Sequence, residues 1–195
     1  MRAEIKEVEN AKQRRTFTLL PELLYRDKYP EWVPPIYSSV NQSLDKAKND
    51  TWDFCSGKLY LEFIESSIVG RIMVLVNHRA NEFLKKQEAR FGYFDCIEDS
   101  KVAAALLDKA ERWARSAGCE RIVGPMVFSD LDPSGMLIEG FTEQSSVGTW
   151  WHPPYASKLL EEAGYEKEID WVSYILDLKH PRSPVYKKVA ERVLA

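Results

Sequence analysis

His152 is the side chain of this sequence best suited to acid–base chemistry near neutral pH, because imidazole titrates there. Two tryptophans precede it and two prolines and Tyr155 follow it. Trp151 and its neighbours could floor a pocket and stack on a ring or on a cation. A lone histidine is more often structural than catalytic. His152 could therefore act in catalysis or serve only in packing. Tyr155 could likewise act as an acid or base or serve only in packing.

Asp130 and Asp132 lie in an irregular stretch, residues 127–141. Connections of this length inside a compact domain tend to be functional or disordered. The two carboxylates could bind a cationic amine or serve as a base. Equally, they could stabilise turns through hydrogen bonds from their side chains to the backbone.

The histidines and cysteines do not predict a metal site or a disulfide framework. The three histidines are far apart and lie in no motif with ligand spacing (His78, His152 and His180). The three cysteines are odd in number and widely spaced (Cys55, Cys96 and Cys119). This usage is typical of a reducing cytoplasm, and Cys96 is expected to be a core thiol rather than a nucleophile.

Length and charge exclude several classes of function. The chain has 195 residues, 45% of them apolar, which fits one soluble domain. Its 27 basic and 30 acidic side chains leave a net charge of −3, so no global field favours nucleic acid or anionic lipid. The apolar runs are too short to span a bilayer, and residues 1–15 do not resemble a signal peptide.

The hydrophobic spacing predicts which elements must position these residues. The first predicted elements are an edge strand over 3–8 and a helix over 12–25 that Pro21 breaks or restarts. A polar helix over 38–49, capped by Ser38 or Ser39, follows them. Three antiparallel strands follow, and then a long helix that begins after Asp99 or Ser100 and ends at Gly118. A parallel strand, a helix and a final strand complete the prediction, followed by a moderately basic helical tail. The ranges are 58–65, 68–76 and 90–97 for the meander, 121–124, 154–163 and 168–178 for the later elements, and 181–195 for the tail.

The order of these elements and the amino-acid sequences of residues 105–125 and 156–168 resemble those of the GNAT (GCN5-related N-acetyltransferase) superfamily. The likeness is closer still to a bacterial subfamily of GNAT-like proteins and covers nearly the whole chain. It lies in residues 23–35, 69–83, 91–99, 124–141 and 153–165. The resemblance implies an α/β (α+β) fold with a mixed, mostly antiparallel sheet flanked by helices. It assigns 1–180 to the GNAT-like domain and 181–195 to a tail that leads toward a second domain.

The resemblance also implies a site for acetyl-CoA or another acyl-CoA, formed by Cys96, Ile97, Ser100 and Lys101. Family members hold the cofactor's diphosphate on a glycine-rich loop at a helix N-terminus, where backbone N–H groups converge. Here the loop contains no glycine and carries Glu98 and Asp99. Both carboxylates repel a diphosphate, and Asp99 as a helix cap would occupy the free amides.

The catalytic positions of the family are only partly matched. Many members use a tyrosine four residues before the glycine that ends the fourth helix, and this chain has Leu160 there. Tyr155, in the first turn of the same helix, is the substitute candidate. Asp95, on the third meander strand, matches a carboxylate that deprotonates the amine through water, although it could equally be a charge at the edge of the pleat.

Two functions follow from the sequence. In the first, the domain transfers an acyl group from acyl-CoA to a small-molecule amine, with Asp95, His152 and Tyr155 as catalytic candidates. Asp130, Asp132 and Trp151 are then the candidates for substrate binding. In the second, the same scaffold has lost cofactor binding and serves as a ligand-binding or interaction module. A second domain or a second copy is the expected protein partner, and no nucleic acid, membrane or metal is expected.

Overall fold

The computed structural model of the chain describes residues 3–145, 148–174, 177, 179 and 183–194. In chain order the elements are strands and helices of moderate length, with a 3₁₀ turn at Asp50–Asp53. They are β1 (Ala3–Glu7), α1 (Ala11–Tyr25), α2 (Tyr37–Ser43), β2 (Cys55–Ile64), β3 (Ser67–Asn77), α3 (His78–Leu84), β4 (Glu88–Cys96), α4 (Ser100–Ser116), β5 (Arg121–Val123), α5 (Ala156–Glu162) and α6 (Pro184–Leu194).

One sheet organises these elements in the order β1-β2-β3-β4-β5. The first four strands are antiparallel neighbours, and β5 is parallel to β4. The parallel pair follows from the crossover through α4, which returns the chain to the same end of the sheet. The predicted antiparallel meander, the crossover and the mixed sheet are confirmed.

Strand β4 contains a bulge that interrupts its regular pairing with β3 close to the candidate functional residue Asp95. Arg71 pairs with Asp95 and Met73 with Gly92, so two residues of β4 face one residue of β3. Tyr93, inside this bulge, has a φ of 48°, a left-handed conformation that is uncommon for any residue except glycine. On the other side of β4, pairing with β5 ends at Arg90. The carboxyl-terminal half of β4 therefore faces an opening between the two parallel strands.

Helices cover both faces of the sheet and bury two main apolar clusters. Helix α1 packs on one face, where Phe17 and Leu20 are fully buried. Helices α4 and α5 pack on the other face, where Leu106 and Leu107 fill the space over β3 and β4. The sheet alternation directs Asp95 toward α1 and Cys96 toward α4, as the strand phase predicted.

Three predictions about the first half of the chain were wrong. Helix α1 continues through Pro21 instead of breaking there. Helix α2 covers 37–43 only and has no side-chain cap, so the predicted caps Ser38 and Ser39 lie inside it. Residues 78–84, expected as loop, form α3, because Asn77 caps them by accepting a hydrogen bond from the N–H of Ala80.

The predicted final strand is also wrong for the residues described there. Residues 165–174 are irregular, and residues 175, 176 and 178 lie outside the described part of the chain. A strand needs a neighbour for its backbone hydrogen bonds, and β5, the adjacent edge, is only three residues long. The tail does form a helix, α6. No helix in the described ranges is both long and apolar enough to cross a membrane.

Candidate functional site

A buried ion pair lies at the centre of the molecule, beside the β4 bulge. Arg71 contacts the Asp95 carboxylate through Nη2 at 2.7 Å and Nε at 2.8 Å. The hydroxyl of Tyr25 donates to the other carboxylate oxygen at 2.9 Å. Burial, followed by the charge of Asp95, raises the pKa of Tyr25 well above its ordinary value, so that hydroxyl stays a donor. Asp95 is therefore held by three donors, which leaves it poorly placed to take a proton from a substrate.

Pro21 explains how α1 accommodates Arg71. Proline has no N–H, so the carbonyl of Phe17, four residues earlier, lacks its helical donor. The Nη1 of Arg71 donates to this carbonyl instead, at 2.7 Å. The guanidinium also lies 5.0 Å from the centre of the Phe17 ring and 5.2 Å from that of Tyr93. The proline thus supplies an acceptor for a buried cation, which is why the helix tolerates it.

His152 and Trp151 are buried against this centre. Burial lowers the pKa of His152 from 6.5 to about 4, with opposing smaller effects from Asp95 and Arg71. Its Nδ1 accepts a hydrogen bond from the N–H of Leu137 at 3.3 Å, which requires an unprotonated Nδ1. The Trp151 ring packs on Tyr25 and Tyr29 and donates its Nε1–H to the carbonyl of Phe141. Trp151 thereby fixes the long loop against α1, and His152 holds two parts of that loop together.

Tyr155 closes the opening between β4 and β5. Its hydroxyl donates to the carbonyl of Cys96 at 2.7 Å. Ile97 donates its N–H to Val69 of β3, so by the period of two the backbone groups of Cys96 point away from β3, into the opening. Burial raises the pKa of Tyr155 well above its ordinary value, and burial does the same for the Cys96 thiol. Both groups therefore stay protonated.

The N-terminus of α4, where the resemblance places the cofactor's diphosphate, does not fit that group. The side chain of Asp99 accepts hydrogen bonds from the N–H groups of Lys101 at 2.8 Å and Val102 at 3.4 Å. The Ile97 amide is bonded to β3, and Ser100 is exposed. A diphosphate would have to displace one carboxylate and lie beside Glu98. The amides of Ile97, Lys101 and Val102 are thus already engaged, which disfavours a diphosphate at the residues predicted to hold it.

Glu62 adds a further buried carboxyl near this helix end. It is 1% exposed, and its Oε2 has no hydrogen-bond partner among the described residues. Burial, followed by the charge of Asp99, raises the pKa of Glu62 from 4.5 to about 7. Any anion at the start of α4 would therefore meet the charges of Glu98 and Asp99, and that of Glu62 at higher pH.

A polar cavity of about 480 Å³ lies on the other side of the sheet, between α2 and residues 128–132. Hydroxyl and amide side chains dominate its lining, which contains two charged residues, Lys48 and Asp132. Asp132 accepts hydrogen bonds from both the N–H and the hydroxyl of Ser129, so it stabilises a turn and faces the cavity at once. Asp130 is exposed and does not line the cavity.

The floor of this cavity is tied to the sheet. Arg90 donates to the carbonyls of Val127 and Phe128, and Asn77 donates to the Phe128 carbonyl at 3.0 Å. Gly92 permits this approach, because a Cβ there would lie 2.4 Å from Val127. No group of three or more His, Cys, Asp or Glu side chains within the described ranges could hold a metal ion.

The structure brings most of the predicted site residues into two groups. Asp95, Cys96, Trp151, His152 and Tyr155 surround the opening beside β4, and Asp132 belongs to the polar cavity. Their catalytic and binding roles stay predictions. The sequence interpretation missed the partners Arg71, Tyr25 and Glu62. Arg71 and Glu62 carried a signal, since each is a charged residue inside an otherwise apolar strand.

Comparison with solved structures confirms the predicted fold. An aminoglycoside acetyltransferase from an uncultured soil metagenomic sample, in complex with trehalose, superposes with a TM-score of 0.53 and 12% identity, over 90% of this chain and 97% of that one. A predicted acetyltransferase from Clostridium acetobutylicum with acetyl-CoA gives a TM-score of 0.50 and 9% identity, over 93% and 100%. The chain therefore has the GNAT acetyltransferase fold, as the sequence resemblance predicted.

Two curated relatives match at the level of sequence, and no family model matches. Protein YghO of Escherichia coli (strain K12) is 33% identical over 94% of this chain and 47% of its own length. A bacterial ceramide synthase of Caulobacter vibrioides (strain NA1000 / CB15N) is 29% identical over 84% and 42%. The chain spans less than half the length of these relatives.

We predict that the Arg71–Asp95 pair is essential for stability. Arg71→Met should cost about 3–5 kcal/mol, because it leaves a buried carboxylate without its cation. Arg71→Met combined with Asp95→Leu should recover part of that loss, since neither charge is then buried alone. Urea unfolding measures both effects. Arg112→Met, which removes an exposed partner of Asp108, is the control and should change stability by less than about 1 kcal/mol. Equal losses in the Arg71 and Arg112 variants would contradict the assignment.

We predict opposing pH effects from His152 and Glu62. Unfolded His152 binds a proton that the folded protein excludes, so this residue lowers stability as pH falls from about 6.5 to about 4. Folded Glu62 retains a proton that the unfolded carboxyl loses, so it lowers stability as pH rises from about 4.5 to about 7.

Single isosteric variants should separate these effects. His152→Asn should leave a stability that falls with rising pH, and Glu62→Gln one that falls with decreasing pH. Each slope should reach up to about 1.4 kcal/mol per pH unit, the value for one proton. The wild type should be flatter than either between pH 4.5 and 6.5. Urea unfolding at a series of pH values tests this, and variant slopes equal to the wild-type slope would refute it.

Proposed function

We propose that this chain takes part in acyl transfer to the amine of a small polar molecule, and that the polar cavity holds this molecule. The observation that carries the proposal is the pairing of Asp132 with a lining of hydroxyl and amide groups in about 480 Å³. Such a lining binds a ligand rich in hydroxyl groups, and the carboxylate favours a protonated amine among them.

The environment of Asp132 suits it to this role. Ser129 holds one oxygen of the carboxylate from two donors, which fixes its orientation before a ligand arrives. Tyr93 links the cavity to the β4 bulge, since its side chain lies close to Ser43 and Asp132 of the cavity wall and its ring lies beside Arg71. A molecule in the cavity would therefore lie next to the bulge rather than on a remote surface.

The relatives support an amine acceptor. The metagenomic acetyltransferase with this fold is described in complex with trehalose and with sisomicin, a sugar and an aminoglycoside. The Caulobacter relative is named a ceramide synthase, and a ceramide is the amide of a fatty acid with an amino alcohol. Both names are consistent with a polyhydroxylated or amino-alcohol ligand whose amine receives an acyl group.

The binding site of the acyl donor is distinct from that of the acceptor. At the site expected for acyl-CoA, the Lys101 amide of α4 already donates to Asp99, and the Cys96 carbonyl already accepts from Tyr155. We therefore place the donor's diphosphate elsewhere than at the start of α4. The same observation favours a second candidate function, a GNAT-fold module that binds the polar ligand without transferring an acyl group.

Amine binding tests the acceptor site directly. Sisomicin should raise the melting temperature of the chain, because a ligand that binds only the folded state stabilises it. Asp132→Asn should weaken sisomicin binding about tenfold while leaving trehalose binding unchanged, since only the cationic ligand uses the carboxylate. Asp130→Asn, on an exposed carboxylate outside the cavity, is the matched control. Equal losses in the two variants, or no binding of either probe, would contradict the assignment of the cavity.

Acetyl-CoA titration by calorimetry tests the donor interpretation. Glu98→Gly combined with Asp99→Ser should bind acetyl-CoA more tightly, because it removes two repelling charges from the start of α4. Weaker binding by the double variant than by the wild type would show that the role of the start of α4 is misread. Acyl transfer from acetyl-CoA to sisomicin, followed by mass spectrometry, separates the enzyme from the binding module.

A further inference from the structure

The segment 166–174 exposes apolar side chains that a soluble chain normally covers. Ile169, Trp171, Val172 and Tyr174 are between 64% and 83% exposed. The segment begins beside the sheet edge, where Glu168 and Arg121 of β5 form an ion pair at 2.6 Å. No strand among the described residues pairs with the outer edge of β5. Exposed apolar groups at an open sheet edge mark a binding surface.

Helix α6 has a second such surface. Every described residue of α6 is exposed. Val185, Val189 and Val193 recur every four residues and form one apolar stripe, with Tyr186 beside it. A helix of 11 residues with no buried side chain is marginal in water, so a partner for this stripe would stabilise it.

The charges of the two surfaces are complementary. The 166–174 segment carries Glu166, Glu168 and Asp170 against one lysine. On α6, at 100° per residue, Lys188 and Arg192 flank the valine stripe, whereas Lys187 lies on the opposite side. A basic-flanked apolar helix thus matches an acidic apolar segment.

We propose that the two surfaces bind each other between two copies of the chain. Helix α6 of one copy packs its valine stripe on the 166–174 segment of the partner, and the partner returns the same contact. Within one chain the valines of the α6 stripe are between 53% and 78% exposed, although the complementary segment is close in sequence. Because each copy carries both halves of the contact, a two-fold dimer covers all four surfaces and leaves none open for further addition.

Charge reversal tests this pairing with the chain as it stands. Light scattering coupled to size exclusion should give twice the chain mass of 22.5 kDa for the wild type. Lys188→Glu combined with Arg192→Glu, and separately Glu166→Lys combined with Asp170→Lys, should each weaken the dimer about tenfold or more. Mixing these two variants should restore a dimer, because each acidic helix then meets a basic segment in the other chain.

The control and the contradicting outcomes follow from the helix geometry. Lys187→Glu changes charge equally per site on the opposite side of α6 and should leave the dimer intact. A wild type of single-chain mass at every concentration would overturn the proposal. So would a mixture that stays monomeric while each variant alone is monomeric, since the contact would then lie within one chain. Circular dichroism of each variant shows whether the chain is still folded.

Discussion

The buried pair between Arg71 and Asp95 is the constraint on which the remaining structure depends. Taking two charges out of water costs several kcal/mol per ion, and only close geometry with further hydrogen bonds offsets this cost. The chain provides them from two elements: α1, with the Tyr25 hydroxyl and the Phe17 carbonyl, and the bulged strand β4. The pair therefore fixes α1 on the sheet at the position where β4 leaves β5.

This constraint changes the meaning of the candidate residues around it. Asp95 resembles a general base when read from the sequence, but a carboxylate held by a guanidinium and a phenol has its oxygens already engaged. His152 is neutral because burial disfavours its charged form, and its Nδ1 holds the Leu137 amide. Tyr155 holds the Cys96 carbonyl. The chemistry-bearing groups beside β4 are thus engaged mainly with one another and with the backbone.

Local patterning predicted the meander, the crossover and the cap of α4, because each depends on residues close in sequence. Two of the failures depend on distant partners. Pro21 reads as a helix breaker until Arg71, 50 residues later, supplies the donor for the freed carbonyl. The strand over 168–178 has the right alternation, yet the three-residue β5 offers it no adequate neighbour. The capping role of the acidic loop at 98–99 could be predicted from the sequence, because a helix cap bonds amides within three residues of itself.

The two faces of the sheet differ in the charged groups that they present, so they suit different ligands. On the α4 face, Glu62, Glu98 and Asp99 disfavour an anion, and the helix amides are occupied. On the α1 face, the polar cavity presents the fixed carboxylate of Asp132 and the amine of Lys48 among hydroxyl and amide groups. Under the proposed function, the amine lies in this cavity, and the acyl donor reaches the β4 bulge without using the start of α4.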